Sequence, residues 1–475
     1  MIDALLKTPS PFLPRKRPHN LPVVVLNEAL FKTWIKKQKA PVKNAASDAD
    51  FKGQPRRTLI LRDAKGSAEM LVTGVGAPMS LYDLSFTVAA LRSQLSAALL
   101  KEASFTLEFV QSAGKDIEKA HIGWALGCYK FDLYKKDTAA HPALVWSKGA
   151  DKDHVQSVVS SLCILRNLIN TPANDLGPEA LEQAARRIVK PFDAKVKVVV
   201  GEKLLSENFP LIHAVGQAGH EAPRLIDISW GKKTDPKVTL VGKGVTFDTG
   251  GLNIKPAQYM KLMKKDMGGA AHVLALGKMI MEAGLPVNLR IIVPVVENAI
   301  SASAFRPGDI LKSRKGLTVE NTNTDAEGRL ILADALAYAC EDNPDIVIDY
   351  ATLTGSARAA LGPDIPAFFA TSEKTGASLQ KMGEKLEDPV WQMPLWEPYK
   401  KHNLSPVADL MNSSSVPGDL IFSALFLKSF VAKNIEWIHL DTYAWEHSGF
   451  AGRPAGGADT GLRAIFGLLE DRYGR

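Results

Sequence analysis

The chain has 475 residues, 46% of them hydrophobic and 23% charged, which is enough apolar material for two domain cores and excludes a disordered polymer. Its formal net charge is +7, and the excess is concentrated in residues 1–62, where 13 Lys or Arg stand against 4 Asp or Glu. Three scattered cysteines, Cys128, Cys163 and Cys340, have no paired spacing that would suggest a disulfide framework or a cysteine-ligated zinc site, a usage that fits a reducing compartment.

The opening MIDALLKTPSPFLPRKRPHN lacks the ordered charged, apolar and cleavage regions of a secretion signal. No apolar run reaches membrane-spanning length, since FSALFLKSF at 422–430 is broken by Lys428. A soluble, cytoplasmic protein with no membrane partner is expected. The basic first 62 residues could face nucleic acid, but no aromatic platform, zinc finger or Arg-rich recognition helix accompanies them, and a solvated basic surface is the plainer reading.

In chain order, residues 1–155 alternate short apolar runs, such as TLILR at 58–62 and SFTLEFV at 104–110, with a helical pattern over 81–102. This predicts a small N-terminal α/β domain. Residues 156–175 form a linking helix and turn: HVQSVVSSLCILRNLIN at 154–170 reads as a helix that Thr171-Pro172 ends, because proline lacks the amide a continuing helix needs. Residues 176–475 then alternate strands and helices. LEQAARRIVK and 267–284 read as helices; KVKVVV, PKVTLV at 236–241, NLRIIVPVV from 288, DIVIDY at 345–350 and IEWIHL at 435–440 read as strands. The expected fold class is α/β, with a larger second domain built on a central mixed, mostly parallel sheet flanked by helices. Lys243, Asp248, Asp349 and Asp441 fall at or after strand ends, where open α/β sheets place their sites.

Four segments carry the chemistry: VGKGVTFDTGGLNIKP at 241–256, MKLMKKDMGG at 260–269, NTNTDAEGRLILADAL at 321–336 and YATLTGSA at 350–357. Their glycines match neither a P-loop nor a dinucleotide fingerprint. Asp248, Asp266, Asp325 and Glu327 are carboxylates beside glycine-rich turns or helix starts. Each has an ordinary alternative: Asp266 could cap the helix that follows, and T-D-A-E at 324–327 is formally a capping box with Thr324 as cap and Glu327 reaching back. Gathered in one pocket the carboxylates would repel each other, and divalent ions would remove that cost. Oxygen ligands suit magnesium or manganese, and zinc accepts them too.

These segments resemble the signatures of the leucine aminopeptidase family of two-metal peptidases, above all in Asn323-Thr324-Asp325-Ala326-Glu327-Gly328-Arg329-Leu330, with N-T-P-A-N-D at 170–175 in support and LGCYKFDLYK at 126–135 as a weaker match. The resemblance implies hydrolysis of the first peptide bond of peptides with a free amino terminus, with apolar first residues such as leucine favoured. It implies two divalent ions per subunit, manganese or zinc. Lys243, Asp248, Asp266 and Glu327 would hold the tighter ion, and Asp248, Asp325 and Glu327 the more exchangeable one. Lys255 would stabilise the oxyanion, and Arg329 would sit beside a bicarbonate that accepts the water's proton. A lysine ligand must first lose its proton, which an adjacent cation favours. Met263, Thr352 and Gly355 would surround the first side chain. A homohexamer of two trimers is also implied.

The tail departs from the family pattern. Where an A-G pair usually follows H-[IL]-D, residues 443–445 read Tyr-Ala-Trp, and a K-G-A-T-G run is replaced by Gly456-Gly457-Ala458-Asp459-Thr460-Gly461. This marks a divergent branch whose pocket wall is built differently. Some relatives have acquired DNA-binding roles, so a DNA-binding or scaffolding protein on the same fold, with or without catalysis, is the second expectation.

Overall fold

The computed structural model describes residues 1–111, 114 and 116–474. The chain divides into two compact units: Lys7–Cys163 with His447–Ala455, and Met1–Leu6 with Ile164–Glu446 and Gly456–Arg475. The helix Lys152–Asn170 passes from one to the other and stops before Thr171-Pro172. Among the described residues no helix is long and apolar enough to cross a membrane.

The smaller unit is a six-stranded sheet made of β1 (Phe12–Leu13), β2 (Asn20–Leu26), β3 (Thr58–Arg62), β4 (Ala68–Gly74), β5 (Ser104–Phe109) and β6 (Ala143–Val145), in the order β1-β6-β5-β2-β4-β3. All pairings are parallel except β3 with β4. The two-residue period of a strand sends Leu21, Val23 and Val25 of β2 into one core cluster and Val24 and Leu26 into another. Both faces are therefore covered, one by the helices Asp83–Gln94 and Asp116–Gly127, the other by Glu28–Trp34 and Ala40–Asp48. The single helix expected over 81–102 is in fact two, Asp83–Gln94 and Ala97–Glu102. Ser96 restarts the chain as an N-cap, its side chain accepting from the Leu99 amide.

The larger unit contains β7 (Lys195–Val200), β8 (Arg224–Trp230), β9 (Lys237–Gly242), β10 (Gly244–Asp248), β11 (Asn288–Asn298), β12 (Ile310–Lys312), β13 (Thr318–Glu320), β14 (Ile346–Ala351), β15 (Ala367–Ala370), β16 (Trp391–Gln392), β17 (Leu410–Met411) and β18 (Glu436–Asp441). Nine form one sheet, in the order β16-β15-β18-β14-β9-β11-β8-β7, with β10 also paired to β11. Its centre, β18-β14-β9-β11, is parallel, while β8 runs antiparallel to β11 and β15 antiparallel to β18. The central strands are apolar on both faces because helices cover both. Gly268–Glu282, buried over its first fourteen residues, and Glu327–Cys340 pack there. The mixed, mostly parallel sheet matches the sequence expectation; β8 and β15 were not foreseen. A separate small sheet joins β12, β13 and β17.

Register places the site. In the parallel core Tyr350 pairs with Gly242, Ala351 with Asp441, and Asp248 with Asn298, so the carboxyl ends of β9, β10, β11, β14 and β18 finish along one edge.

Candidate metal centre

Lys243 follows β9 directly and is almost completely buried. Its Nζ donates to the Thr352 carbonyl at 2.9 Å and lies 2.8 Å from Asp266 Oδ2 and 2.9 Å from Glu327 Oε1. Two glycines make this approach feasible. A Cβ at Gly269 would stand 2.1 Å from the Tyr350 carbonyl oxygen and 2.8 Å from the Lys243 amide nitrogen, and one at Gly328 would stand 2.5 Å from Lys243 Cε.

Asp248 closes β10. Its Oδ1 accepts from the Gly250 amide and from Asn298 Nδ2, each at 2.8 Å, and its Oδ2 lies 2.8 Å from Lys255 Nζ. The same Lys255 ammonium contacts Asp325. Asp266 sits in the 3-10 turn Met263–Met267, where its Oδ1 accepts from Thr352 Oγ1 at 2.8 Å. Asp248, Asp325 and Glu327 each present a carboxylate oxygen, all within 4.8 Å of one another.

The structure decides against the capping readings. The N-cap of Glu327–Cys340 is Ala326, with no side-chain bond; Thr324 Oγ1 instead donates to the Gly250 carbonyl at 2.6 Å and accepts from the Asn253 amide at 2.8 Å. The helix after Asp266 is capped by Met267, again without a side-chain bond. Glu327 and Asp266 thus have their carboxylates turned to Lys243, because an unpaired buried ammonium costs far more than an uncapped amide.

Electrostatics points the same way. Burial, reinforced by Asp248 and Glu327 and opposed by Lys255, pushes Asp325 up to about 7. Burial and then Glu327 likewise raise Asp248. For Lys243 and Lys255 burial disfavours the ammonium, but the surrounding carboxylates more than offset it and lift both above the ordinary lysine range. Three buried oxygens, Asp266 Oδ2, Asp325 Oδ1 and Glu327 Oε1, accept no hydrogen bond of normal geometry among the described residues and face only the ammonium groups at ion-pair distance. Anionic oxygens that repel one another and meet only two lysine ammonium groups fit divalent cations. Lys243 fits as a further ligand once it gives up its proton.

Arg329, two residues along the helix from Glu327, is buried; its Nη1 donates to the Asn412 carbonyl at 2.7 Å and its Nη2 to Asp419 Oδ1 at 3.0 Å. Asn412, just after β17, also accepts from the Thr322 amide and donates to Asn321 Oδ1 and the Asn323 carbonyl, fixing the loop that carries Asp325. Sequence reasoning missed Asn298, Asn412 and Asp419, since a lone amide or an isolated acid has no spacing to betray it. Met263 is half-buried at the start of its turn, Thr352 is buried against Asp266, and Gly355 is exposed at the start of the helix Gly355–Leu361. Asp349 is a correction: it lies inside β14, and its carboxylate is engaged by Trp437 Nε1 and His439 Nδ1, both at 2.6 Å, within the sheet. Asp441 accepts from the amides of Leu353 and Thr354 and from Thr354 Oγ1, fixing the turn into Gly355.

Residues 163–466 match the cytosol aminopeptidase family, catalytic domain, and residues 21–146 match the M17 aminopeptidase, N-terminal domain. A probable cytosol aminopeptidase of Syntrophotalea carbinolica is 37% identical over 451 residues, covering 88% of this chain and 89% of the relative. The crystal structure of cytosol aminopeptidase from Coxiella burnetii superposes with a TM-score of 0.91 at 40% identity, over 98% of this chain and 99% of that one. The bottromycin maturation enzyme BotP, solved in complex with Mn, gives a TM-score of 0.84 at 29% identity, over 95% and 99% of the two chains. With the acidic centre at the carboxyl edge of its parallel strands, the chain belongs to the cytosol aminopeptidase family, metal-dependent hydrolases of the N-terminal peptide bond.

Proposed function

We propose that this aminopeptidase holds two divalent ions per subunit and favours apolar first residues such as leucine. The observation that carries the reading is the convergence of Lys243, Asp248, Asp266, Asp325 and Glu327 in one cluster, where three buried carboxylate oxygens face only lysine ammonium groups. Lys243, Asp248, Asp266 and Glu327 would hold one ion, and Asp248, Asp325 and Glu327 the other, with Asp248 and Glu327 shared. Manganese or zinc suits this donor set, and the Mn complex of the similar BotP supports manganese.

When bound, such ions supply Lewis acidity, which polarises the scissile carbonyl and lowers the pKa of water. The chain's own groups do the rest. Asn298 and the Gly250 amide fix one oxygen of Asp248, and Thr352 fixes one of Asp266, leaving the remaining oxygens directed inward. Lys255 carries positive charge beside Asp248 and Asp325, where it would stabilise an oxyanion. Arg329, whose buried Nε donates no hydrogen bond among the described residues, would orient a bicarbonate as proton acceptor. Met263 offers an adaptable apolar surface to the first side chain. A cytoplasmic homohexamer is the assembly this reading carries with it.

The test uses Asp266→Ala and Glu327→Ala. Asp266→Ala should lose one ion per chain and Glu327→Ala both, each with loss of leucyl-peptide hydrolysis. Wild-type metal content and turnover in the two variants would sink the assignment. A second reading, duplex DNA binding, is favoured by Lys36, Lys37 and Lys39, which are exposed and have no carboxylate partner among the described residues. It requires salt-dependent binding that is lost when the three are neutralised; no binding at low salt ends it.

A further inference from the structure

The tail segment that departs from the family pattern returns to the metal centre. Ala444 and Thr352 flank Gly268: a Cβ on that glycine would lie 2.7 Å from Ala444 Cβ and 2.9 Å from Thr352 Cγ2. Ala444 has a φ of +56°, a left-handed conformation that L-residues enter at a cost, so the segment is held there by its surroundings. On either side of Ala444 stand two aromatic rings, each carrying cations. Lys265 Nζ lies 4.5 Å from the Tyr443 ring centroid and the Arg358 guanidinium 5.0 Å from it, with Arg358 Nη1 donating to Tyr443 Oη at 3.2 Å. Lys264 Nζ lies 5.5 Å from the Trp445 ring.

None of these cations forms an ion pair with a carboxylate among the described residues. Neither Lys265 nor Arg358 has a carboxylate at ion-pair distance among the described residues, and the ammonium of Lys265, a residue only 5% exposed, donates no hydrogen bond among them. The nearest acids are engaged elsewhere: Asp266 by Lys243 and Thr352, Asp441 by Leu353 and Thr354. An aromatic face compensates a buried cation only in part. Arg358 also stands three residues after Gly355, on the same face of its helix, and that face is open, since a Cβ at Gly355 would meet nothing within 4 Å.

We propose that Lys265 and Arg358, held on the ring of Tyr443, form a cationic end to the first side-chain pocket and bind the carboxylate of a glutamyl first residue. The inference rests on the reading that Met263, Thr352 and Gly355 surround the first side chain. Glutamate's two methylenes pack as leucine's stem does, and its carboxylate supplies a counterion. Glutamyl peptides are then substrates alongside leucyl ones.

The test compares C-terminally amidated peptides beginning with Glu, Gln or Leu, so that the side chain is the only carboxylate. Glutamine is the neutral isostere. The wild-type enzyme is expected to cleave the Glu peptide with kcat/KM about tenfold above the Gln peptide, the ratio expected of one charge-assisted bond. Arg358→Gln should bring that ratio near one, and Arg358→Lys should restore part of it. If Arg358→Gln does not fold, Tyr443→Phe, which removes only the hydroxyl accepting from Arg358, should lower the ratio. A wild-type Glu:Gln ratio at or below one, or a ratio unchanged in the folded variants, overturns the proposal. Turnover of the Leu peptide separates this from the parent reading: Leu cleaved without a Glu preference refutes only the cationic pocket, and none of the three cleaved refutes the aminopeptidase assignment.

Discussion

Replacing Gly328 by alanine should separate the two ions. The added methyl would lie 2.5 Å from Lys243 Cε, 2.6 Å from its Nζ and 2.8 Å from its Cδ. Ordinary contact between such atoms is about 3.5–4.0 Å, so the lysine must retreat by roughly 1 Å. Its Nζ stands 2.8 Å from Asp266 and 2.9 Å from Glu327, and that retreat removes it from the ligand set. Losing one interaction with a charged group costs about 1.5–3 kcal/mol, which is roughly ten- to a hundredfold in affinity for the ion that Lys243 would hold. The ion assigned to Asp248, Asp325 and Glu327 should bind as before. The fold should survive, because an overpacking cost of about 1–3 kcal/mol is partly offset by roughly 1 kcal/mol from replacing glycine in a helix. The assay is a chelator titration with metal content measured per chain, run beside Gly355→Ala, whose methyl meets nothing within 4 Å. Two ions held at wild-type affinity in Gly328→Ala would refute the placement of Lys243 as a ligand.

Lys255→Met should reduce kcat by about 10²–10³-fold with both ions retained, since it removes charge from the developing oxyanion and no ligand; a change confined to KM would reassign the residue to substrate binding. Asp334, fully buried on the helix Glu327–Cys340, accepts from the amides of Leu211 at 2.8 Å and Arg314 at 2.7 Å. Asp334→Ala leaves these donors unpaired and should lower unfolding stability by about 2–4 kcal/mol, measured in denaturant. Burial, against three backbone bonds, pushes the Asp334 carboxyl up to about 7. The folded chain then keeps a proton the unfolded chain has lost between the ordinary carboxylate range and about pH 7, so this group's contribution to stability falls as pH rises through that window. Asp334→Asn should remove that slope; an identical pH profile would contradict it.

The segments that hold Lys243, Asp248, Asp266, Asp325 and Glu327 were legible because their order and spacing are local strings. The parallel core was legible too, since β9, β11 and β14 are apolar runs separated by helical patterns. What stayed hidden depends on contacts distant in sequence. Thr324 and Glu327 satisfy a capping box on paper, and only the approach of Gly250 and Lys243 draws them away from it. Asp349 sits near a strand end in the sequence, but pairing with β18 gives it Trp437 and His439 as partners. Asn412 is 91 residues from Asn321, and no periodicity links them. Residues 447–455 group with the smaller unit although all around them in sequence belong to the larger, a return of the chain that no local pattern announces.

The most direct test of the two-ion account is stepwise reconstitution of metal-free protein, following bound ions per chain against hydrolysis of a free-amino leucyl peptide and its acetylated form. The account predicts that full turnover of the free-amino peptide appears only as the second ion binds, and that the acetylated peptide stays intact at every loading. Full turnover by metal-free protein, or equal cleavage of the two peptides, would contradict it.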